Sequence, residues 1–357
     1  MENMRKFWKK KKVLITGHTG FKGSWLSIIL NFLNSKIYGY SLAPKKNSLY
    51  IKSNIKNCFS ESAYGDINNL NKFKKFIKKI KPEIIFHMAA QPLVLDSYKN
   101  PLNTFSTNIL GTVNLLEIIK STNSVKSVVI ITTDKVYKID KKNKAYSETD
   151  ELGGYDPYSS SKVCAEIVVN SYVQSFFNKT KLKNKIATAR AGNVIGGGDF
   201  AKNRLVPDIL DALNKKRKLI IRNPKQIRPW QHVLDPLMGY LLLAEKQYKG
   251  KIRSLNNCWN FGPDKRNFKK VIEIVKHIKK NSKLEYRIKK NKSYKETDIL
   301  KLNSFKTKNI LGWFSKWSIN ESLNRTIEWN NLVNKGKSAK NICENQFLEL
   351  LNTKKIK

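Results

Sequence analysis

With 357 residues, 40% of them hydrophobic, the chain can bury a core and divide into two lobes, and no apolar run reaches the roughly 18 residues that span a bilayer. Four widely separated cysteines, Cys58, Cys164, Cys258 and Cys343, lack ligand spacing, which argues against a zinc site, against any other metal centre and against a disulfide scaffold. The 69 Lys and Arg against 27 Asp and Glu give a net charge of +42, but no nucleic-acid motif frames it and it runs the length of the chain, so it reads as a lysine-filled solvated surface without a specific nucleic-acid partner.

The basic start, Met1 to Lys12, leads into no apolar segment with a cleavage site, so a soluble cytoplasmic protein is expected. From Val13 to about Arg190 strand and helix patterns alternate, as in a Rossmann-type α/β fold with a doubly wound parallel sheet. Strands are predicted over residues 13–16, 37–40, 84–87, 128–132 and 186–190, and helices over 24–33, 70–79, 101–120 and 157–177. Pro101 and Pro157 suit first helical turns, where a missing N–H costs little. The first strand runs into Gly17-His18-Thr19-Gly20-Phe21-Lys22-Gly23, a dinucleotide fingerprint. Gly17 allows the tight turn, Gly20 lets backbone approach a pyrophosphate at the helix start, Gly23 lets helix and strand pack closely, and Thr19 and Phe21 fill the turn between them.

Beyond Gly192 the regularity fades into glycine, proline and aromatic segments, with later helices predicted over 233–248, 269–280 and 318–331. The expected organisation is a cofactor domain with the catalytic residues over 1–190, a smaller C-terminal substrate lobe mainly over 191–335, and an extension over 336–357 that is either an appended helix or a frayed tail.

Two segments carry chemistry. Tyr158-Ser159-Ser160-Ser161-Lys162 lies on a predicted helix, where residues four apart share a face, so the Lys162 ammonium is expected beside the Tyr158 phenol. A free phenol titrates near ~10, and a neighbouring cation pulls it down, which makes Tyr158 a usable base. Chance YxxxK matches abound in a chain this rich in lysine, so position decides: the pair follows a glycine turn and the strand end Ile130-Ile131-Thr132-Thr133-Asp134-Lys135. Cys164 lies just past Lys162 and is expected to pack rather than react.

Together these residues resemble the extended short-chain dehydrogenase/reductase family, and within it the nucleotide-sugar 4,6-dehydratases that act on CDP-hexoses. The resemblance rests on Thr16-Gly17-His18-Thr19-Gly20-Phe21-Lys22-Gly23-Ser24-Trp25, Phe86-His87-Met88-Ala89-Ala90-Gln91-Pro92-Leu93-Val94, Gly153-Gly154-Tyr155-Asp156-Pro157-Tyr158, Arg190-Ala191-Gly192-Asn193-Val194-Ile195-Gly196-Gly197-Gly198-Asp199 and Arg228-Pro229-Trp230-Gln231-His232-Val233, and it extends to about residue 335. It implies conversion of CDP-D-glucose to CDP-4-dehydro-6-deoxy-D-glucose with bound NAD reduced and reoxidised in one turnover, in the supply of a 3,6-dideoxyhexose or related surface polysaccharide.

The resemblance implies that Tyr158 takes the C4 hydroxyl proton, Thr133 hydrogen-bonds the C4 oxygen, Lys162 holds the cofactor ribose, Lys135 takes the C5 proton and Asp134 protonates the departing C6 hydroxyl. It places Asp66, Ile67, Ala89, Ala90, Gln91 and Asn108 at the cofactor, with Asn108 also fitted to kink its helix. Asn193, Arg204 and Arg228 become substrate contacts, joined by His232, for which a packed or surface position is an equal reading, and by Trp230, for which filling the lobe interface is the stronger reading than stacking on cytosine. It implies a homodimer or homotetramer paired through the helices over 101–120 and 157–177.

The pattern departs from the family in three places. Lys135 stands where related dTDP-glucose enzymes carry glutamate, Leu95-Asp96 stands where an arginine is usual, and Tyr38-Gly39-Tyr40-Ser41-Leu42 offers no acid for the cofactor ribose, which leaves NADP open. Other readings of the same residues are a different 4,6-dehydratase, a 4-epimerase, or a nucleotide-sensing or polyanion-binding scaffold that reuses the fold.

Overall fold

The structure is a computed structural model that describes residues 2–139, 144–252, 257–280, 282–289 and 299–353. Seven parallel strands form the central sheet: β1 (Lys12–Thr16), β2 (Lys36–Ser41), β3 (Glu61–Tyr64), β4 (Ile84–His87), β5 (Ser127–Ile131), β6 (Ile186–Ala191) and β7 (Cys258–Phe261). Their order is β7-β6-β5-β4-β1-β2-β3. β4, β5 and β6 are buried along their whole length, as strands covered on both faces must be. The chain builds outward from β1 to β3, then crosses back to β4, so the carboxyl ends of β1 and β4 flank the switch point where a crevice opens.

Two strands of the sheet escape the sequence pattern. β3 is a short, half-polar edge strand whose register is set by β2, with Tyr38 opposite Glu61 and Ser41 opposite Tyr64. β7 pairs with β6 although 66 residues separate Ala191 from Cys258. A four-residue run without alternation carries no period of its own, and the open edge of β6 supplies the partner.

Helix α1 (Phe21–Phe32) follows the glycine turn and buries every residue from Gly23 to Leu30, because the sheet covers one side and the C-terminal segment the other. Gly17 has φ +72, and a Cβ on it would lie 2.7 Å from the Ala89 nitrogen. Gly23 is tighter still, its hypothetical Cβ falling 2.2 Å from the Gly17 carbonyl oxygen. Helix α2 (Leu70–Ile80) is amphipathic and capped by Asn69, whose side chain accepts from Lys72 N–H.

The helix predicted over 101–120 is three pieces: Pro101–Phe105, a π-helical turn over Ser106–Leu110, and α3 (Gly111–Lys120). The one predicted over 157–177 is α4 (Pro157–Tyr172) followed by a π turn over Val173–Phe177. Hydrophobic spacing does not distinguish a single π turn from α-helix, since only one hydrogen-bond step changes. α4 starts with Pro157, and Asp156 caps it by accepting from Ser159 N–H at 3.0 Å and Ser159 Oγ at 2.6 Å.

The smaller lobe has its own core, with Val206, Ile209, Trp230, Ile274, Val275 and Leu323 among its buried members. It is discontinuous in sequence. Helix α5 (Leu234–Tyr248) packs on the sheet and β7 extends it, so both elements join the cofactor-domain layers, whereas the expected organisation put them in the substrate lobe. Helix α6 (Ile319–Asn334) then crosses between the two cores. The extension forms α7 (Ala339–Asn352), capped by Ser338, which buries Ile342, Cys343, Phe347 and Leu350 against α1 and α6. The appended helix is thus the correct alternative through Asn352, and residues 354–357 of the predicted tail lie outside the described residues. Among the described residues no helix is long and apolar enough to cross a membrane.

The contact between Gly23 and Gly17 offers a direct check. Gly23→Ala should destabilise the protein by about 1–3 kcal/mol, read as a lower urea midpoint, and an unchanged midpoint would contradict the close packing of turn and helix.

Candidate active site

The switch-point crevice gathers side chains from β5, α4, the glycine turn and the small lobe. Tyr158 and Lys162 lie one turn apart on the buried face of α4, and Lys162 Nζ donates to the Ile131 carbonyl at 3.1 Å. Past the end of β5 the backbone turns over Asp134–Val136 in a 3-10 turn capped by Thr133, whose Oγ1 accepts from Lys135 N–H at 3.3 Å. The Thr133 hydroxyl donates to Asp134 Oδ1 at 3.1 Å. Asp134 is buried and its Oδ2 has no hydrogen-bond partner among the described residues, while Lys135 is half-buried.

Burial governs the charges here. It pushes the Tyr158 phenol up to about 12, against the pull of Thr133 and Arg204, and Asp134 and Asp156 push the same way. It lowers Lys162 to about 8, with Glu166 pulling it back up. The expectation that Lys162 depresses the Tyr158 pKa is therefore not met in this state: desolvation of the phenol outweighs any charge effect, and the ammonium is turned to the Ile131 carbonyl. Burial also raises the Asp134 carboxyl, opposed by Lys135, Thr133, Arg228 and Lys22.

Lys22 belongs to this cluster. The sequence motif contains it without assigning it a role, yet its ammonium faces Arg204, Asp134, Lys162 and Asp199, and burial lowers it to about 8. Only its place at the first turn of a helix aimed at the crevice hinted at this.

The predicted cofactor residues line one side. Thr19 Oγ1 donates to the Leu42 carbonyl at 3.0 Å and lies 2.9 Å from Ser41 Oγ, tying the glycine turn to the end of β2. Phe21 is half-buried at the start of α1. Ala89 N–H donates to Thr16 Oγ1 at 3.1 Å, and Ala89, Ala90 and Gln91 form a half-buried floor after β4. Asn108 lies in the π turn, where Oδ1 accepts from Gln91 N–H at 2.9 Å, and Nδ2 donates to the Gln91 carbonyl at 3.1 Å and to Ser161 Oγ at 2.8 Å. Asp66 is exposed with Oδ1 accepting from Asn68 N–H, and Ile67 is buried against Gly111. A Cβ on Gly20 would meet only the Gly17 carbonyl oxygen, at 3.3 Å, and no side chain caps α1. The turn is thus a cradle open to a pyrophosphate, and these residues fit a dinucleotide.

From the small lobe, Arg204 pairs with the buried Asp199 at 3.1 Å and faces Tyr158. Arg228 is buried, donates to Gln226 Oε1 at 2.8 Å and faces Asp134. Asn193 is half-buried and its carbonyl accepts from Gln231 N–H at 3.0 Å. Trp230 and His232 are both buried, in keeping with the packing reading that stood beside substrate contact. The Trp230 indole sits in the small-lobe core and donates to the Lys269 carbonyl at 3.0 Å. His232 has no exposed surface, is flanked by Trp25 at 5.7 Å and Trp317 at 4.8 Å, and is lowered to about 3 by burial. Both side chains are packed in apolar layers.

A buried acid with a raised pKa, a partly buried amine beside it, a buried phenol, a threonine hydroxyl and two arginines suited to phosphate make a site for proton relay on a phosphorylated ligand. The family model described as GDP-mannose 4,6 dehydratase matches residues 14–326. The CDP-glucose 4,6-dehydratase of Salmonella typhimurium is 44% identical over 331 residues, covering 91% of this chain and 92% of that protein. Among solved structures, dTDP-glucose 4,6-dehydratase from Bacillus anthracis in complex with NAD aligns with a TM-score of 0.75 at 23% identity, over 92% of this chain and 98% of that one. UDP-glucuronic acid 4-epimerase from Bacillus cereus, in complex with UDP-glucuronic acid and NAD, aligns with a TM-score of 0.76 at 20% identity, over 90% and 99% of the two chains.

Proposed function

The chain belongs to the GDP-mannose 4,6 dehydratase family, and from that premise we propose that it is an NAD-dependent hydro-lyase converting CDP-D-glucose to CDP-4-dehydro-6-deoxy-D-glucose and water. The observation that carries this reading is the 44% identity to a CDP-glucose 4,6-dehydratase along nearly the full length of both chains. The Asp134-Lys135 pair beside Tyr158 and Lys162 supports it, since epimerisation at C4 needs hydride transfer but no elimination.

Bound in the glycine cradle, NAD supplies a reversible hydride acceptor and a positive ring charge. The rest of the chemistry belongs to the chain. Tyr158 accepts the C4 hydroxyl proton once nearby positive charge has brought its pKa down from about 12. Thr133 holds the C4 oxygen, and Lys162 anchors the cofactor ribose. The C4 ketone acidifies C5–H, and Lys135 is the base that removes that proton. Asp134, whose burial favours the protonated form, gives its proton to the departing C6 hydroxyl. Arg204, Arg228 and Asn193 hold the pyrophosphate and hexose. The absence of an acid after β2 leaves the ribose hydroxyls to backbone and hydroxyl groups such as Ser41, and Lys45-Lys46 nearby would tolerate a 2′-phosphate, so weighing the released nucleotide decides between NAD and NADP.

We place the enzyme in the cytoplasm and assign it a homodimer, with a tetramer as the larger alternative. Leu102 is 83% exposed and Leu110 55% on the segment over 101–120, and Ile167 is 56% and Phe176 47% exposed on the one over 157–177. Such faces suit burial against a second copy.

Two outcomes test the chemistry. CDP-D-glucose deuterated at C4 should give product carrying the label at C6 of the same molecule, and label lost to solvent or released on the coenzyme would overturn the cycle. Lys135→Met should leave NAD binding intact and abolish the keto sugar, read by its absorbance in alkali, whereas unchanged turnover would remove Lys135 from the mechanism.

A further inference from the structure

Behind the catalytic pair lies a buried ion pair that the mechanism does not use. Glu166 follows Lys162 by one turn on α4, so Tyr158, Lys162 and Glu166 share a helix face at steps of four. Its carboxylate accepts from Thr132 Oγ1 at 2.6 Å, Thr188 Oγ1 at 2.5 Å, Arg190 Nε at 2.9 Å and Arg190 Nη2 at 3.0 Å. The side chains of Arg190 and Glu166 are 3% and 4% exposed. The remaining arm of Arg190, Nη1, donates to Tyr137 Oη at 2.8 Å, which donates in turn to Asn260 Oδ1 at 2.7 Å on β7. Thr132 immediately precedes the Thr133-Asp134-Lys135 turn and Tyr137 follows it, so one carboxylate and its arginine hold both ends of that turn.

We propose that Glu166 is a positioning residue of the reaction: it supplies the buried countercharge to Lys162 and, through Thr132 and the Arg190–Tyr137 arm, fixes the catalytic turn against α4. The inference rests on the dehydratase reading for the roles of Lys162 and the turn. Around Lys162 stand Lys22 from α1, His87 from β4, Tyr158 and Glu166 from its own helix and the Ile131 carbonyl from β5. Of these, Lys22 opposes its charge, and burial keeps His87 neutral by lowering it to about 3. Glu166 is the acid in that shell, and it offsets part of the desolvation that brings Lys162 to about 8. A lysine with a lowered pKa is cationic below that pKa and loses its charge as pH rises through it. Removing Glu166 lowers it further, so the alkaline limit of function moves to lower pH.

Because Glu166→Gln alone strands a buried guanidinium and threatens folding, the test uses the double variant Glu166→Gln with Arg190→Gln, beside Thr188→Val, which removes one hydrogen bond and keeps the charge. The readouts are the alkaline limb of kcat for CDP-D-glucose and, without turnover, the pH dependence of NAD affinity followed by protein fluorescence. The expected result is a shift of both limbs to lower pH in the double variant, none in Thr188→Val, and partial restoration in Glu166→Asp with Arg190 intact. A folded double variant whose kcat and affinity fall equally at every pH would overturn the proposal and leave Glu166 purely structural. Failure of the wild type to form keto sugar from any pH would instead sink the dehydratase reading, with the binding profile still reporting on Glu166.

Discussion

Exclusion of water from the carboxyl end of β5 is the constraint on which this molecule turns. Asp134, Lys162, Lys22 and Tyr158 all meet there, and burial moves each toward its neutral form: the carboxyl and phenol upward, the two ammonium groups downward. A surface cluster of the same composition would be screened, with its carboxylate and both ammonium groups charged. Elimination of water from a sugar needs an acid that still holds its proton, and the desolvated crevice favours that form of Asp134.

That crevice is dry because of how the rest of the chain is arranged. The cofactor domain contributes its floor and the small lobe its wall, and Trp25 locks one to the other by donating to the Gly197 carbonyl at 2.9 Å. Trp329 packs over the same glycine and donates to Cys343 Sγ at 3.3 Å on α7, so the terminal helix buttresses the wall from outside. The extension is therefore part of the core that holds the two halves of the crevice together. Lys316 Nζ completes the contact by donating to the Leu350 and Leu351 carbonyls, the favourable end of α7 for a cation.

The large positive charge plays two different parts. Most of it is solvated, with exposed pairs such as Lys138–Glu151 contributing little to stability. Inside the crevice Lys22, Lys135, Lys162, Arg204 and Arg228 converge from separate elements onto Asp134 and Tyr158, where a doubly negative pyrophosphate would offset their mutual repulsion.

From its residues alone, the chain determined the parallel α/β layers, the glycine turn, the two proline-started helices and the one-turn spacing of Tyr158 and Lys162, because each of these is a local pattern of period, turn chemistry or cap. Tertiary structure decided what local pattern cannot encode. It paired β7 with β6 across a long intervening segment, turned the Lys162 ammonium to a carbonyl instead of the phenol, buried Trp230 and His232 in packing layers and brought Lys22 into the charge cluster. In every case the deciding quantity is which groups lose water when distant elements close on one another, and that is a property of the assembled layers, not of any stretch of residues.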